Sequence, residues 1–200
     1  RGAGVDTALF SPKPVPSGTP LVVLPSRMLW EKGVEEFVVC ARNMINNGRS
    51  VRFALVGEPD PHNPGSVPVE QLQTWVKEGV VEWWGRCKNM PDVFHQSSVV
   101  CLPSFYGEGL PKALMEAASC ERPIVTYDVP GCREAVINNV NGFLVPKKDA
   151  IALQEAIEKL LGDVDLCARF GKAGRELVIK EFSQERIASE TLQVWEEVLS

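Results

Sequence analysis

The sequence predicts an α/β domain, a doubly wound, Rossmann-like parallel sheet of about six strands with helices on both faces. Three observations carry that expectation. Short β-branched apolar runs recur along the chain, amphipathic stretches of helical period fall between them, and the composition is that of a globular domain, 44% hydrophobic and 24% charged over 200 residues. This alternation marks βαβ units, whose parallel strands are covered by crossover helices. A chain of this length buries roughly 70% of its unfolded surface, enough for a full core.

Residues 1–20, RGAGVDTALFSPKPVPSGTP, are rich in Gly and Pro and carry no period, so they read as a linker from a preceding domain. The Rossmann-like domain is expected over 21–180, with strands near 21–25, 51–56, 80–84, 99–103, 123–127 and 142–145. After the first strand, Val34, Phe37, Val38, Ala41, Met44 and Ile45 share one helical face that stops at Asn47-Gly48. A second crossover helix is expected from Val67, after the loop PDPHNPGS, and MPDVFHQS forms a short third. A fourth starts at Leu110-Pro111, where proline suits the first turn. The remainder reads as helices over 149–161, 163–179 and 184–199. The last belongs to a C-terminal segment, 181–200, whose apolar stripe (Ala188, Thr191, Leu192, Trp195, Val198, Leu199) packs on this domain or on a missing neighbour.

Charge and cysteine usage narrow the function classes. With 21 Lys and Arg against 26 Asp and Glu, the net charge is −5, so no sequence-independent grip on nucleic acid or an anionic bilayer is expected. Six scattered cysteines (Cys40, Cys87, Cys101, Cys120, Cys132, Cys167) without a Cys-x-x-Cys pair read as reduced core thiols of a cytoplasmic protein. The two histidines, His62 and His95, do not complete a zinc ligand set, and no metal is expected. Apolar runs are too short for a spanning helix. Phosphate-loop, dinucleotide, zinc-protease and serine-hydrolase signatures are absent from the sequence.

In doubly wound sheets, ligands sit beyond the carboxyl ends of the strands. After the first strand, SRMLWEKG places Arg27 and Lys32 at the entrance of a crossover helix, where a cation pair and a helix N-terminus suit phosphate. The same residues also fit a solvated Arg and a Lys paired with Glu31 or Glu35. After the fourth strand, PSFYGEGLPKALME places Gly107 and Gly109 where backbone amides can approach an anion. It also spaces Glu108 and Glu116 two helical turns apart, and carboxylates accept hydrogen bonds from sugar hydroxyls but repel diphosphate. Glu116 fits equally a helix-surface charge paired with Lys112. After the third strand, Gly85, Arg86 and Cys87 form a turn able to meet the edge of a nucleobase, while Trp83 and Trp84 fit sheet packing at least as well. The run VPGCRE after the fifth strand reads as a turn into a short helix.

The ordered set SRMLWEKG, LVGEP, WWG, EGLPKALME, RPIVTYDVPGCREAV and NGFLVP resembles the donor-binding half of family 4 retaining glycosyltransferases of the GT-B fold. The likeness runs over nearly the whole chain and is strongest toward bacterial enzymes of capsule, exopolysaccharide, O-antigen and undecaprenyl-linked glycan assembly. It implies that Arg27 and Lys32 hold the diphosphate of a UDP-sugar, that Glu108 lies near the transferred sugar, and that Glu116 binds ribose hydroxyls. It further implies that the Gly109-Leu110 amides touch sugar and phosphate, that Gly85 to Cys87 meet the base, and that Gly57 sits in a close-approach turn. Tyr106 to Pro111 resembles the polysaccharide-assembly variant of the commoner E-G-F-G-L-P. The implied reaction moves a hexose or N-acetylhexosamine to a glycan or polyprenyl-diphosphate-linked acceptor in cell-surface polysaccharide or lipopolysaccharide synthesis. Acceptor and membrane are then reached through a missing N-terminal domain, and the isolated chain is expected to bind donor with little or no turnover. A GT-B nucleotide-sugar epimerase half and a non-catalytic α/β interaction module remain as alternatives.

Overall fold

The structure, a computed structural model, describes residues 4–107 and 109–199. The chain runs β1 (Leu21–Pro25), a 3-10 turn (Trp30–Lys32), α1 (Val34–Asn46), β2 (Arg52–Val56), α2 (Val69–Lys77), β3 (Glu82–Gly85) and α3 (Met90–Gln96). It continues through β4 (Val99–Leu102), α4 (Lys112–Ser119), β5 (Ile124–Tyr127), α5 (Pro130–Ala135), β6 (Gly142–Val145), α6 (Ala150–Leu161), α7 (Val164–Glu181) and α8 (Gln184–Leu199). The six strands form one sheet of order β3-β2-β1-β4-β5-β6, parallel throughout. The order reverses between β1 and β4, so the loops leaving these strands diverge and open a crevice at their carboxyl ends.

Sequence accounts for most of these elements directly. Every residue of β1 is buried, as expected of a central strand covered on both faces. α1 buries Val34, Phe37, Val38, Ala41 and Met44 and ends at Asn47, so the helical face is the one the spacing predicts. The side chains of Asp149 and Asp163 accept hydrogen bonds from the first-turn amides of α6 and α7, fixing where those helices start. α6 packs on α1, and α7 packs on α4. The six cysteines are free, four of them buried. Burial pushes the thiols of Cys40 and Cys120 up to about 12, which leaves almost no thiolate at neutral pH.

Three details differ from the sequence-based expectation, and a fourth bears on an alternative left open there. Pro111 is not inside the first turn of α4; it precedes it with ψ 114°, in extended conformation. α2 starts at Val69 and not at Val67, because the Val67 N–H is spent on the Met28 carbonyl and Pro68 is extended. The segment read as a linker has no helix or strand of its own, yet its described part is docked on the domain. Val5 and Phe10 are buried, Val5 bridges Ser183 between α7 and α8, and the guanidinium of Arg175 donates to the carbonyls of Phe10 and Ser119. The buried Arg122 does the same for Lys13 and Phe94. Finally, the apolar stripe of α8 is not covered by this domain: Leu192, Trp195 and Val198 are exposed.

Candidate functional site

The loops leaving β1, β2 and β3 are laced together through their main chains. Ser26 N–H donates to the Val56 carbonyl, Met28 N–H to Glu58 and Gly57 N–H to Gly85, each at 2.8–3.0 Å. Trp83 Nε1 adds a bond to the Gly57 carbonyl at 2.8 Å, so this tryptophan is a fastening of the site and not a stacking platform. Gly57 has φ 145°, and a Cβ there would lie 1.8 Å from the Ser26 carbonyl oxygen, so only glycine lets the first two loops meet. On the other side, Gly33 at φ 74° brings the start of α1 against the loop leaving β4, where a Cβ would lie 2.1 Å from the Pro103 carbonyl oxygen. Phe105 N–H donates to the Glu31 carbonyl at 2.9 Å, tying the loop after β4 to the 3-10 turn.

Between these loops and the first turn of α4 lies a cavity of about 580 Å³. Arg27, Gly57, Arg86, Cys87 and Glu116 all line it, together with Asp60. Five residues singled out from four separate sequence segments therefore converge on one hollow at the topological switch point. Gly85 stands directly behind, its carbonyl spent on Gly57. Lys32, Gly107, Gly109 and Leu110 stand outside its lining: the 3-10 turn that carries Lys32 is fastened to the loop after β4. Glu108 lies outside the described residues.

The charges in the cavity are arranged in pairs. Arg27 Nη1 lies 2.7 Å from Asp60 Oδ2, with the arginine side chain 58% exposed. Glu116 is 8% exposed and stands 3.4 Å from Lys112 Nζ, one turn earlier on α4. The surface pair with Lys112 and the place in the cavity are thus both realised. Burial raises the Glu116 carboxyl above its ordinary value, and Lys112 offsets this only in part. No side chain of Pro111 caps the start of α4; the Leu114 and Met115 amides turn to the Pro111 carbonyl, which leaves those of Lys112 and Ala113 as donors at the cavity edge. Asp60 was not singled out in the sequence, where PDPHNPGS reads only as a turn-rich loop.

A second, larger cavity of about 700 Å³ lies at the opposite end of the sheet, beneath residues 12–20 and beside Ser98, Pro123 and Leu160. Its buried cation, Arg122, is spent on main-chain carbonyls, so the convergence of charged groups belongs to the smaller one. Among the described residues, no group of three or more His, Cys, Asp or Glu could hold a metal ion, and no helix is long and apolar enough to cross a membrane.

This architecture has close counterparts. Sucrose-phosphate synthase from Thermosynechococcus elongatus superposes with a TM-score of 0.86 at 27% identity, over 98% of this chain and 51% of that one. The crystal structure of Anabaena HepE in complex with UDP-glucose superposes with a TM-score of 0.86 at 20% identity, over 97% and 56%, and shares the fold. Among curated proteins, the chain is 31% identical over 180 residues to the N,N'-diacetylbacillosaminyl-diphospho-undecaprenol alpha-1,3-N-acetylgalactosaminyltransferase of Campylobacter jejuni, covering 90% of this chain and 45% of the relative. The chain therefore spans about half the length of the proteins it matches. The sequence profile described as "Glycosyl transferases group 1" matches residues 6–177, from the docked N-terminal segment into the last turns of α7. With one half of the GT-B architecture and a charged cavity at its switch point, the chain belongs to the glycosyl transferases group 1 family.

Proposed function

We propose that this chain is the donor-binding half of a retaining glycosyltransferase that moves a hexose or N-acetylhexosamine from a UDP-sugar to a glycan or lipid-linked acceptor in cell-surface polysaccharide synthesis, on the cytoplasmic side of the membrane. The observation that carries the proposal is the convergence of Arg27, Gly57, Arg86, Cys87 and Glu116 on one cavity. The name of the Campylobacter relative supports a lipid-linked acceptor, and the UDP-glucose bound to HepE supports the nucleotide.

In this reading the guanidinium of Arg27 takes the diphosphate, with Lys32 as second cation, while the start of α4 contributes amide donors. Glu116 accepts from the ribose hydroxyls, the Gly85–Cys87 turn meets the base, and Glu108 with the Gly109-Leu110 amides faces the sugar. The bond between the anomeric carbon and the phosphate oxygen breaks with its electron pair leaving on the diphosphate. The acceptor hydroxyl forms the new bond on the same face and gives its proton to the departing phosphate. Stabilising that leaving charge is the main catalytic work such a site can do. The half-molecule binds donor without transferring it, and the exposed apolar stripe of α8 is the surface its other half covers.

Calorimetric titration with UDP and UDP-sugars tests the proposal. Wild-type chain binds; Arg27→Ala weakens UDP by roughly tenfold to a hundredfold, as expected for a charge-assisted pair, and Glu116→Ala weakens it too. Absence of binding to the wild type, or unchanged binding by both variants, would sink the proposal.

A further inference from the structure

The cavity holds its own counter-charges. Arg27, Arg86 and Lys112 line it beside Glu58, Asp60 and Glu116. The pairing of Lys112 with Glu116 is a one-turn contact within a single helix. The pairing of Arg27 with Asp60 is of another kind, since it joins two strand-end loops 33 residues apart.

Asp60 is held in place by its own loop. Its N–H donates to Ser66 Oγ at 2.9 Å, its carbonyl accepts from Asn63 N–H at 2.9 Å, and its Oδ1 accepts from His62 N–H at 3.2 Å. That loop is bonded in turn to the segment after β1: Trp30 N–H donates to Gly65 and Val67 N–H to Met28, both at 2.9 Å. An ion pair to an arginine as exposed as Arg27 adds little to stability, and the main-chain bonds already join the two loops. What the carboxylate changes is the field in the cavity. It occupies one arm of the arginine fork from inside the hollow, where a phosphate oxygen would have to compete for it.

We propose that Asp60 is a specificity-determining residue of the nucleotide site, a built-in carboxylate that a diphosphate must displace from Arg27 and that disfavours the more highly charged of two ligands. The proposal rests on the nucleotide-sugar reading above. In a nucleoside diphosphate sugar both phosphates are esterified and carry one charge each. In the nucleoside diphosphate left after transfer, the terminal phosphate is free, its second proton leaves at about pH 6, and one further negative charge results. A fixed carboxylate a few ångströms away repels that extra charge strongly, because the screening at a partly enclosed site is well below that of water. Asp60 therefore loosens the product more than the donor and favours release after each transfer.

The test is titration of UDP and UDP-glucose into the 200-residue chain and into Asp60→Asn at pH 8, at low and at high salt. At low salt the variant should bind UDP about tenfold and UDP-glucose about threefold more tightly, shifting the preference toward product, and the shift should shrink at high salt. Asp60→Ser, which keeps a short acceptor for the His62 N–H, should show the same shift in preference. Equal changes for the two ligands, or weaker binding of both, overturn the role of Asp60 while leaving the nucleotide site intact. Failure of every protein to bind either ligand overturns both readings.

Discussion

The loops that line the cavity and the loop after β4 are built on opposite principles. On the side of β1, β2 and β3, main-chain bonds lace the loops together, and Gly57 is required because a neighbouring carbonyl fills the space where a side chain would begin. On the side of β4, a Cβ at Gly107 or Gly109 would meet no atom within 4 Å, and Tyr106 beside them is 59% exposed. Packing explains the first glycine and leaves the other two without a structural reason. The difference makes the β1–β3 wall a preset shape, and the proposed donor site is what gives the glycines of the β4 loop a reason.

The largest expected effect tests the rigid wall. Gly57→Ala should cost about 3 kcal/mol, since it adds a backbone clash to a φ that L-residues avoid. Urea unfolding measures it, and a loss below 1 kcal/mol would break the comparison. Trp83→Phe puts a smaller ring in place of the indole and deletes the bond to the Gly57 carbonyl, so it should cost about 1–2 kcal/mol in the same experiment.

Glu116→Gln gives a smaller effect whose signature is its pH dependence. Burial raises the folded-state carboxyl above 4.5, so ionisation disfavours the folded state. The stability that the neutral acid provides is complete below the unfolded value and is lost as pH rises through the raised one. The glutamine variant does not titrate there. Its stability relative to wild type should therefore improve as pH rises through that window and then level off, and a flat difference across the window would contradict the burial argument. The smallest effect belongs to the open side: Gly107→Ala should change stability by less than about 0.5 kcal/mol while weakening UDP-sugar binding measured by calorimetry. A stability loss comparable to that of Gly57→Ala would show that the two sides are not different after all.

Much of this was legible in the sequence because it is written in local patterns. Each strand lies within a few residues of its apolar run, and the Val34–Met44 face of α1 depends on neighbours within a turn or two. Arg27 and Glu116 were recognisable because strand-end loops are where a doubly wound sheet binds, and Gly57 through the resemblance that LVGEP helps to carry. What escaped depends on contacts distant in sequence. The docking of residues 5–13 uses main-chain carbonyls that accept from Arg122 and Arg175, and a carbonyl leaves no trace in residue type. The partnership of Asp60 with Arg27 spans two loops, and nothing in PDPHNPGS separates that aspartate from an ordinary turn residue.

The exposed face of α8 has an optical consequence. Of the five tryptophans, Trp75 is buried, Trp30, Trp83 and Trp84 are half-buried, and Trp195 alone is exposed, at 64%. Its indole meets water, so its fluorescence should emit to the red of the other four and be the most readily quenched by a soluble collider. Anything that covers the helix would shift that component to the blue and shield it, which gives the protein an intrinsic reporter of docking on α8 that needs no label.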